Sequence, residues 1–286
     1  FVAFIILYHS GSFSSAYDQF LYHQQHIKWL QEHGVVNGLA NLHMRLGFNS
    51  SSLSITSLFA FHPELKISFT ALNGLCLFIF ASWLIIKAQK SREIIASFAY
   101  IFTLVIFVQF YAVELSSTST DVLVNILVAY LFLNCFFEQE YKKNYLLLAI
   151  LPAFCVTLKL SSAPIVVLSI FAFYKLFKNK EYRSLFFTLA TAILLSVVWL
   201  AQNIILTGYL IFPFPEIDLF SFDWKVPTDI VAQEKVITYN WARGVETSTS
   251  TSFGWIPSWW KAVQPVHKII YALSILAFLL SPLAII

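Results

Sequence analysis

Long apolar stretches separated by short polar segments make up most of the chain. A membrane-spanning helix requires roughly 20 apolar residues, and several stretches approach that length. Residues 159–163 separate two of the shorter stretches, which therefore predict either two short spans or a re-entrant hairpin. The pattern predicts an all-α, polytopic transmembrane helical bundle of about eight membrane segments. The stretches cover residues 1–8, 67–86, 94–113, 122–137, 145–158, 164–177, 185–206 and 269–286.

Composition supports a membrane protein and excludes several other classes. Of the 286 residues, 58% are hydrophobic and 12% are charged. Ordinary soluble domains carry about twice that charge. A soluble enzyme, a disordered segment, a coiled coil and a disulfide scaffold are therefore excluded. The net charge of +3 is too small to indicate a nucleic-acid partner.

The two ends of the chain both fall inside apolar runs. The chain begins with Phe1 rather than Met, and it ends at Ile286. The first run also lacks the basic start and small-residue cleavage site of a signal peptide. We therefore expect residues 1–286 to be a single transmembrane domain truncated at both ends.

Basic residues predict the orientation of the spans. Lys and Arg are concentrated in three alternate loops, which the positive-inside rule assigns to the cytoplasm. The two long loops, 9–66 and 207–268, are then on the outside together with the 114–121 connection and Lys159. Long loops on one face are usually functional. The cytoplasmic loops hold Lys87, Lys90, Arg92, Lys142, Lys143, Lys175, Lys178, Lys180 and Arg183.

The first long loop predicts an amphipathic helix that ends at Gly34 and lies on the outer membrane surface. On this helix Asp18, Tyr22 and Gln25 follow an i, i+4, i+7 spacing, which predicts one shared face. Asp18 either serves as a cap at the helix N-terminus or faces a substrate. His23 and His26 are spaced to bind a metal together, although no third ligand has a clear spacing.

Four further polar residues predicted to lie at the outer margin are candidates for substrate binding or catalysis. Arg45 suits a phosphate because its planar guanidinium matches the oxygens, although contact with lipid headgroups is equally consistent. Asp121 and Glu114 border a short hydroxyl-rich connection. Asp121 either caps the following helix or faces an outer cavity. Lys159 either extends towards water or meets an anionic headgroup.

Several motifs resemble the GT-C glycosyltransferase superfamily, which uses sugars linked to polyprenyl phosphate. The segments 17–23 (YDQFLYH), 27–29 (IKW) and 38–51 (GLANLHMRLGFNSS) look like a bacterial branch of that superfamily. Segment 158–161 (LKLS) resembles the lysine motif of dolichyl-phosphate-mannose and lipid A aminoarabinose transferases. The resemblance covers roughly residues 14–121, and segment 158–161 more loosely. In the superfamily further spans follow, so we expect them beyond residue 286.

The resemblance implies an inverting transfer of a sugar from a polyprenyl-phosphate donor to a hydroxyl or amine. The reaction would take place at the outer face of the bacterial cytoplasmic membrane. Asp18 would activate the acceptor, and Asp121 would stabilise positive charge at the sugar carbon. The leaving phosphate would be bound by cations. The implied phosphate or lipid ligands are Arg45, Lys159 and Arg243, and the implied substrate ligands are Tyr22, Gln25 and Glu114.

The resemblance leaves the metal requirement open. Many members of the superfamily have an adjacent Asp-Glu pair in the first loop, whereas Gln19 follows Asp18 here. A divalent cation is therefore one alternative. The implied partners are a lipid-linked sugar and membrane lipids, and the second long loop is rich in tryptophans suited to the membrane interface. The sugar, the acceptor and the oligomeric state remain open.

Two other classes of function compete with this interpretation. A secondary transporter would carry ionisable residues near the middle of its spans. The interiors of the predicted spans are almost free of charge, which counts against a transporter. A non-catalytic membrane protein of glycan assembly would show the same pattern of spans and loops.

Overall fold

The computed structural model describes residues 1–14, 16–59, 72–137, 145–244, 253–265, 267–269 and 271–272. In this part of the chain all regular secondary structure is helical. The chain divides into two compact units. The first contains residues 1–212 and 217–226, and the second contains residues 213–216 and 227–286.

The first unit contains nine helices among its described residues. Seven of them correspond to predicted apolar stretches, which end near charged or turn-forming residues. The helices are α1 (Val2–Ser10), α2 (Gln24–His33), α3 (Ser51–Leu58), α4 (Leu72–Lys90), α5 (Ile94–Tyr111), α6 (Asp121–Phe137), α7 (Tyr145–Leu158), α8 (Val166–Lys178) and α9 (Tyr182–Thr207).

Four helical segments are long and apolar enough to cross a membrane, fewer than the roughly eight that the sequence predicts. Helices α6 and α7 are apolar but have only 17 and 14 residues. Helix α1 has nine residues. The predicted span 269–286 and the basic residues Lys142 and Lys143 lie wholly or largely outside the described residues. The four segments are Leu72–Lys90, Ile94–Glu114, Leu160–Lys178 and Tyr182–Thr207.

The helices pack around a core that excludes many of their own large side chains. Leu77 and Leu84 of α4 and Tyr100 of α5 are buried in this core. In contrast, Phe98 of α5 and Phe186 of α9 are well exposed. An apolar helix that buries one stripe and exposes another large apolar surface is typical of a protein in lipid. The coarse prediction of a helical membrane-type bundle is therefore supported.

Helices α7 and α8 form an antiparallel hairpin. The two helices pack directly against each other, and the Ser169 hydroxyl donates a 2.8 Å hydrogen bond to the carbonyl of Ala149. Lys159 joins them in an extended conformation, followed by a 3₁₀ segment over Leu160–Ile165. The break predicted at residues 159–163 is confirmed, and it places Lys159 at the tip of the hairpin.

The helix predicted in the first long loop is present but begins irregularly. A π-helical turn over Gln19–His23 continues as α2, which ends at Gly34 as predicted. Gly34 has a φ of +70°, a conformation that glycine adopts without a steric penalty. Beyond it the loop forms short 3₁₀ turns over Leu39–Asn41 and Met44–Gly47 before α3 begins.

The second unit contains helices α10 (Thr228–Arg243) and α11 (Ile256–Ala262). Lys235 pairs with Glu216 and lies 5.2 Å from the ring centroid of Phe214. Cation–ring contacts of this kind recur through the unit. The Ser/Thr run at residues 247–252, predicted to be a flexible stretch, lies outside the described residues.

Gly208→Ala is expected to destabilise the first unit more than Gly34→Ala does. Both glycines have positive φ, a conformation that costs another residue about 1–3 kcal/mol. At Gly34 an added Cβ meets nothing within 4 Å, whereas at Gly208 it lies 2.8 Å from the Cα of Lys225. Thermal unfolding of the detergent-solubilised protein measures both costs. Equal midpoints for the two variants would contradict the close approach of Lys225.

Candidate functional site at the ends of helices α6 and α7

An ion pair joins two residues that are 38 positions apart in the chain. Asp121 is the first residue of α6, and Lys159 follows the last residue of α7. Their side chains are paired, and each keeps a little under half of its surface exposed, 45% for Asp121 and 42% for Lys159. A half-exposed pair is well screened, so it contributes little to stability. Both charges remain accessible to a ligand.

A buried asparagine fixes the connection that precedes Asp121. The Asn73 amide, near the start of α4, donates 2.9 Å hydrogen bonds to the carbonyls of Ser117 and Ser119. The Ser117 hydroxyl donates to the Glu114 carbonyl at 2.8 Å and to its carboxylate at 3.2 Å. These bonds satisfy buried polar groups of the connection, which we call the 114–121 turn. Asp121 is therefore held by a rigid segment.

The π-helical turn of the first loop docks on the 114–121 turn. The Gln19 side-chain carbonyl accepts a 3.3 Å hydrogen bond from the backbone N–H of Thr118. One turn further on, His23 is 5% exposed and feels the charges of both Asp121 and Lys159. Burial lowers the pKa of His23 from 6.5 to about 4; Asp121 opposes this shift and Lys159 adds to it. His23 is therefore neutral at pH 7.

His26 lies beside His23 and is buried more deeply. It is 1% exposed, and burial followed by the influence of His23 lowers its pKa from 6.5 to about 4. Nδ1 of His23 and both ring nitrogens of His26 have no hydrogen-bond partner among the described residues. The buried Thr118 hydroxyl has none either. Each unpaired buried group costs about 1–3 kcal/mol, so this concentration of them requires an explanation.

The first loop is attached to both α7 and α9. The Ser50 hydroxyl donates a 2.7 Å hydrogen bond to the carbonyl of Leu158, next to Lys159. The Asn49 amide donates to the Trp199 carbonyl, and the Trp199 indole N–H donates to the Asn49 carbonyl, both at 2.8 Å. The Gly38 N–H donates to the carbonyl of Ile205 at 2.8 Å. These bonds fix the loop beside the ion pair.

The structure separates the three residues predicted to share one face. Asp18 and Gln25 are exposed, whereas Tyr22 is buried against Phe48. The prediction of one shared face is therefore wrong. It assumes 3.6 residues per turn, and the π-helical turn has more. Gln25 instead borders a shallow surface pocket of about 230 Å³ with Lys28, Trp29, Glu32 and His33.

Asp18 itself lies at the start of the π-helical turn. Its side chain makes no capping hydrogen bond and no ion pair among the described residues. Its neighbour Gln19 is the residue bonded to Thr118. Asp18 is thus adjacent in sequence to an anchored residue, with its carboxylate free to meet a molecule from solvent. Its predicted role as a base stays a prediction.

The two arginines predicted to bind phosphate both lie near aromatic rings. The Arg45 guanidinium is 5.5 Å from the ring centroid of Phe48 in the first loop. In the second unit, the Arg243 guanidinium lies 5.2 Å from the Tyr239 ring and 5.3 Å from the Trp255 ring. Such contacts orient an arginine side chain. Their phosphate roles also stay predictions.

A family model described as "Domain of unknown function (DUF8201)" matches residues 1–286. The chain belongs to the DUF8201 family. No curated protein and no solved structure matches it. Membership of DUF8201 assigns no activity.

The metal requirement of this DUF8201 chain stays open. The described ranges contain no group of three or more His, Cys, Asp or Glu side chains placed to hold a metal ion. His23 and His26 are close together, and the carboxylate whose charge acts on His23, that of Asp121, is paired with Lys159. The ordinary tetrahedral zinc site needs three or four such ligands.

Three residues that build the site are absent from the sequence prediction of the site. Asn73 is a lone amide in an apolar stretch, which in a membrane helix usually marks an internal hydrogen bond. Gln19 and Thr118 belong to segments 99 residues apart, so their contact is not visible in the spacing of either segment. Asn73 was therefore detectable from sequence, but the Gln19–Thr118 contact was not.

Proposed function

We propose that this DUF8201 chain is an inverting membrane glycosyltransferase. It moves a sugar from a polyprenyl-phosphate donor to an acceptor hydroxyl or amine. The observation that supports this best is the half-exposed Asp121–Lys159 pair beside buried His23 at one end of an apolar bundle. One carboxylate and one ammonium group at that position match the two charges that develop when a sugar leaves a phosphate.

The sidedness of the helices supports an active site on the outer face of a bacterial cytoplasmic membrane. Asp121 begins α6 and Lys159 follows α7, so both lie at the same end of these helices. Along the chain, most of the basic residues in the first unit's described ranges lie at the other ends of the helices. Positive charge favours the cytoplasmic side, which leaves the Asp121–Lys159 pair outside. Those basic residues are Lys87, Lys90, Arg92, Lys175, Lys178, Lys180 and Arg183.

Each charged residue has a distinct part in the proposed reaction. The Lys159 ammonium binds the donor phosphate and stabilises the charge that it gains on leaving. The Asp121 carboxylate faces the sugar carbon and stabilises its positive character. Asp18 accepts the proton of an acceptor that arrives from the aqueous side. Arg45 contributes a further cation for the phosphate from the first loop.

The distribution of charge within the spans argues against a transporter. In the four described spans, Asp, Glu, Lys and Arg occur only near the ends. A transporter for ions or charged substrates typically places such groups at the bilayer midplane. In this chain the charged residues lie near the ends of the described spans, at the membrane margin where the phosphate of a lipid lies.

Lys159→Met is expected to raise the apparent KM for a polyprenyl-phosphate sugar about tenfold, because it removes a charged contact with the phosphate. The assay uses the full-length protein in liposomes with radiolabelled polyprenyl-phosphate glucose, mannose and galactose. Lys225→Met is a matched control, because Lys225 is also paired with an aspartate, Asp218, in the first unit. Absence of transfer from all three donors by the unmodified protein would contradict the proposal.

A further inference from the structure

We infer that His23, His26 and Thr118 form a subsite that binds sugar hydroxyl groups next to the Asp121–Lys159 pair. This inference rests on the proposed function and deepens it. It assigns recognition of the sugar to neutral groups and leaves the phosphate to Lys159. The ligand class is therefore a polyhydroxylated ring.

The three residues belong to one contact between the first loop and the 114–121 turn. Gln19 bonds to the backbone N–H of Thr118, and His23 follows Gln19 by one turn of the π helix. His23 is within electrostatic range of Asp121, Lys159 and His26. His23 therefore lies near the ion pair, His26 lies beside His23, and Thr118 lies in the turn to which Gln19 bonds.

The unpaired atoms of this contact are deeply buried. His23, His26 and Thr118 are 5%, 1% and 2% exposed. Four of their polar atoms have no hydrogen-bond partner among the described residues: His23 Nδ1, His26 Nδ1, His26 Nε2 and the Thr118 hydroxyl. Buried polar groups in native proteins are nearly always satisfied. Several unsatisfied groups at one contact indicate a ligand that completes them.

The chemistry of these atoms selects among ligand classes. A neutral imidazole offers one donor and one acceptor, and a threonine hydroxyl offers one donor and two acceptors. A sugar hydroxyl also donates and accepts, so it pairs with each of these groups. A phosphate only accepts and favours cations, and a metal ion would require further ligands that the described residues do not offer.

The backbone of the first-loop helix brings both histidines inward. The π-helical turn ends at His23, and the α-helix that carries His26 begins at the next residue. A π turn inserts an extra residue and rotates the side chains that follow it, and such turns are frequent at functional sites. The irregular start of the helix thus places two neutral imidazoles on its buried side.

The test is nuclear magnetic resonance of full-length protein in nanodiscs, with ¹⁵N-labelled histidine. The probes are polyprenyl-phosphate glucose, mannose and galactose, polyprenyl phosphate alone, and the methyl glycosides of the same sugars. We expect at least one sugar-bearing probe to shift the His23 and His26 signals, and polyprenyl phosphate alone to leave them unchanged. A response to the lipid-linked sugars assigns the subsite to the donor. A response to the methyl glycosides alone assigns it to the acceptor.

Substitutions at the histidines complete the test. His26→Leu is expected to weaken sugar binding at least about tenfold, and His26→Gln, which keeps a donor and an acceptor, less so. His33→Gln is the matched control, because His33 is in the same helix and exposed. If polyprenyl phosphate alone shifts the signals as strongly as the sugars do, or if no probe shifts them, the subsite is wrong.

Failure of the subsite and failure of the proposed function give different results. If sugars bind through His23 and His26 but no donor supports transfer, the glycosyltransferase proposal fails and the subsite stands. If transfer occurs while His26→Leu and His26→Gln leave the KM values for donor and acceptor unchanged, the subsite fails and the glycosyltransferase stands.

Discussion

Asp121→Asn is expected to reduce sugar transfer by at least about 100-fold, because in the proposed reaction the carboxylate of Asp121 stabilises the positive sugar carbon of the transition state. The fold should survive the change. The pair with Lys159 is half exposed, so its loss costs no more than about 1 kcal/mol. Transfer from the best polyprenyl-phosphate donor in liposomes measures the effect, with the yield of solubilised protein as the check on folding.

The chain offers a matched control for this substitution. Asp218 is also paired with a lysine in the first unit and is 41% exposed. Asp218→Asn should therefore keep nearly full transfer. Asp18→Asn tests the acceptor base in the same assay and should lower the rate by a smaller factor, because a bound acceptor can also lose its proton to water. If Asp121→Asn keeps more than about a tenth of the transfer rate, the proposed role of Asp121 is wrong.

Acid is expected to destabilise the protein through His23 and His26. Both have a pKa of about 4 in the folded state and an ordinary value of 6.5. Between these values the unfolded chain binds more protons than the folded one, so stability rises with pH. The contribution is complete above pH 6.5 and is lost as the pH falls towards 4. One pKa unit corresponds to about 1.4 kcal/mol, so the two histidines together can cost several kcal/mol.

Thermal unfolding in detergent at pH 7.5 and pH 4.5 measures this loss. His26→Leu should make the protein about equally or more stable at pH 7.5, because it replaces two unpaired buried nitrogens with an apolar side chain. It should also remove roughly half of the difference between the two pH values, since one of two buried imidazoles no longer titrates. Carboxylates that titrate in the same range cancel in this comparison. An unchanged pH dependence in His26→Leu would contradict the titration of buried His26.

Much of the fold was predictable from local patterns. The apolar stretch 145–158 coincides with α7, and α2 ends at Gly34 because glycine adopts a positive φ there without a penalty. The break at Lys159 was visible as a polar interruption of an apolar run. These features depend on residues close together in the chain. Local sequence is enough to determine them.

The candidate site was predictable only in part. The sequence predicts that Asp121 and Lys159 both lie at the outer margin of the membrane. Their pairing depends on how α6 and α7 pack, because the two residues are 38 positions apart in the chain. The helical spacing of Asp18, Tyr22 and Gln25 was misleading, because a π-helical turn changes the register of the side chains. Nothing in the HxxH spacing of His23 and His26 distinguishes buried imidazoles from a polar helix surface.

The hydrogen bonds between Asn49 and Trp199 also impose an order of events during synthesis. These two residues are 150 positions apart, so the first loop emerges from the ribosome long before its partner on α9. At about 5–20 residues per second, translation of the intervening chain takes on the order of ten seconds. During this interval the first loop lacks its hydrogen bonds to Trp199. These bonds form only once α9 has been inserted. A ribosome arrested before residue 199 would leave the early helices in the membrane with a first loop that lacks its bonds to α9.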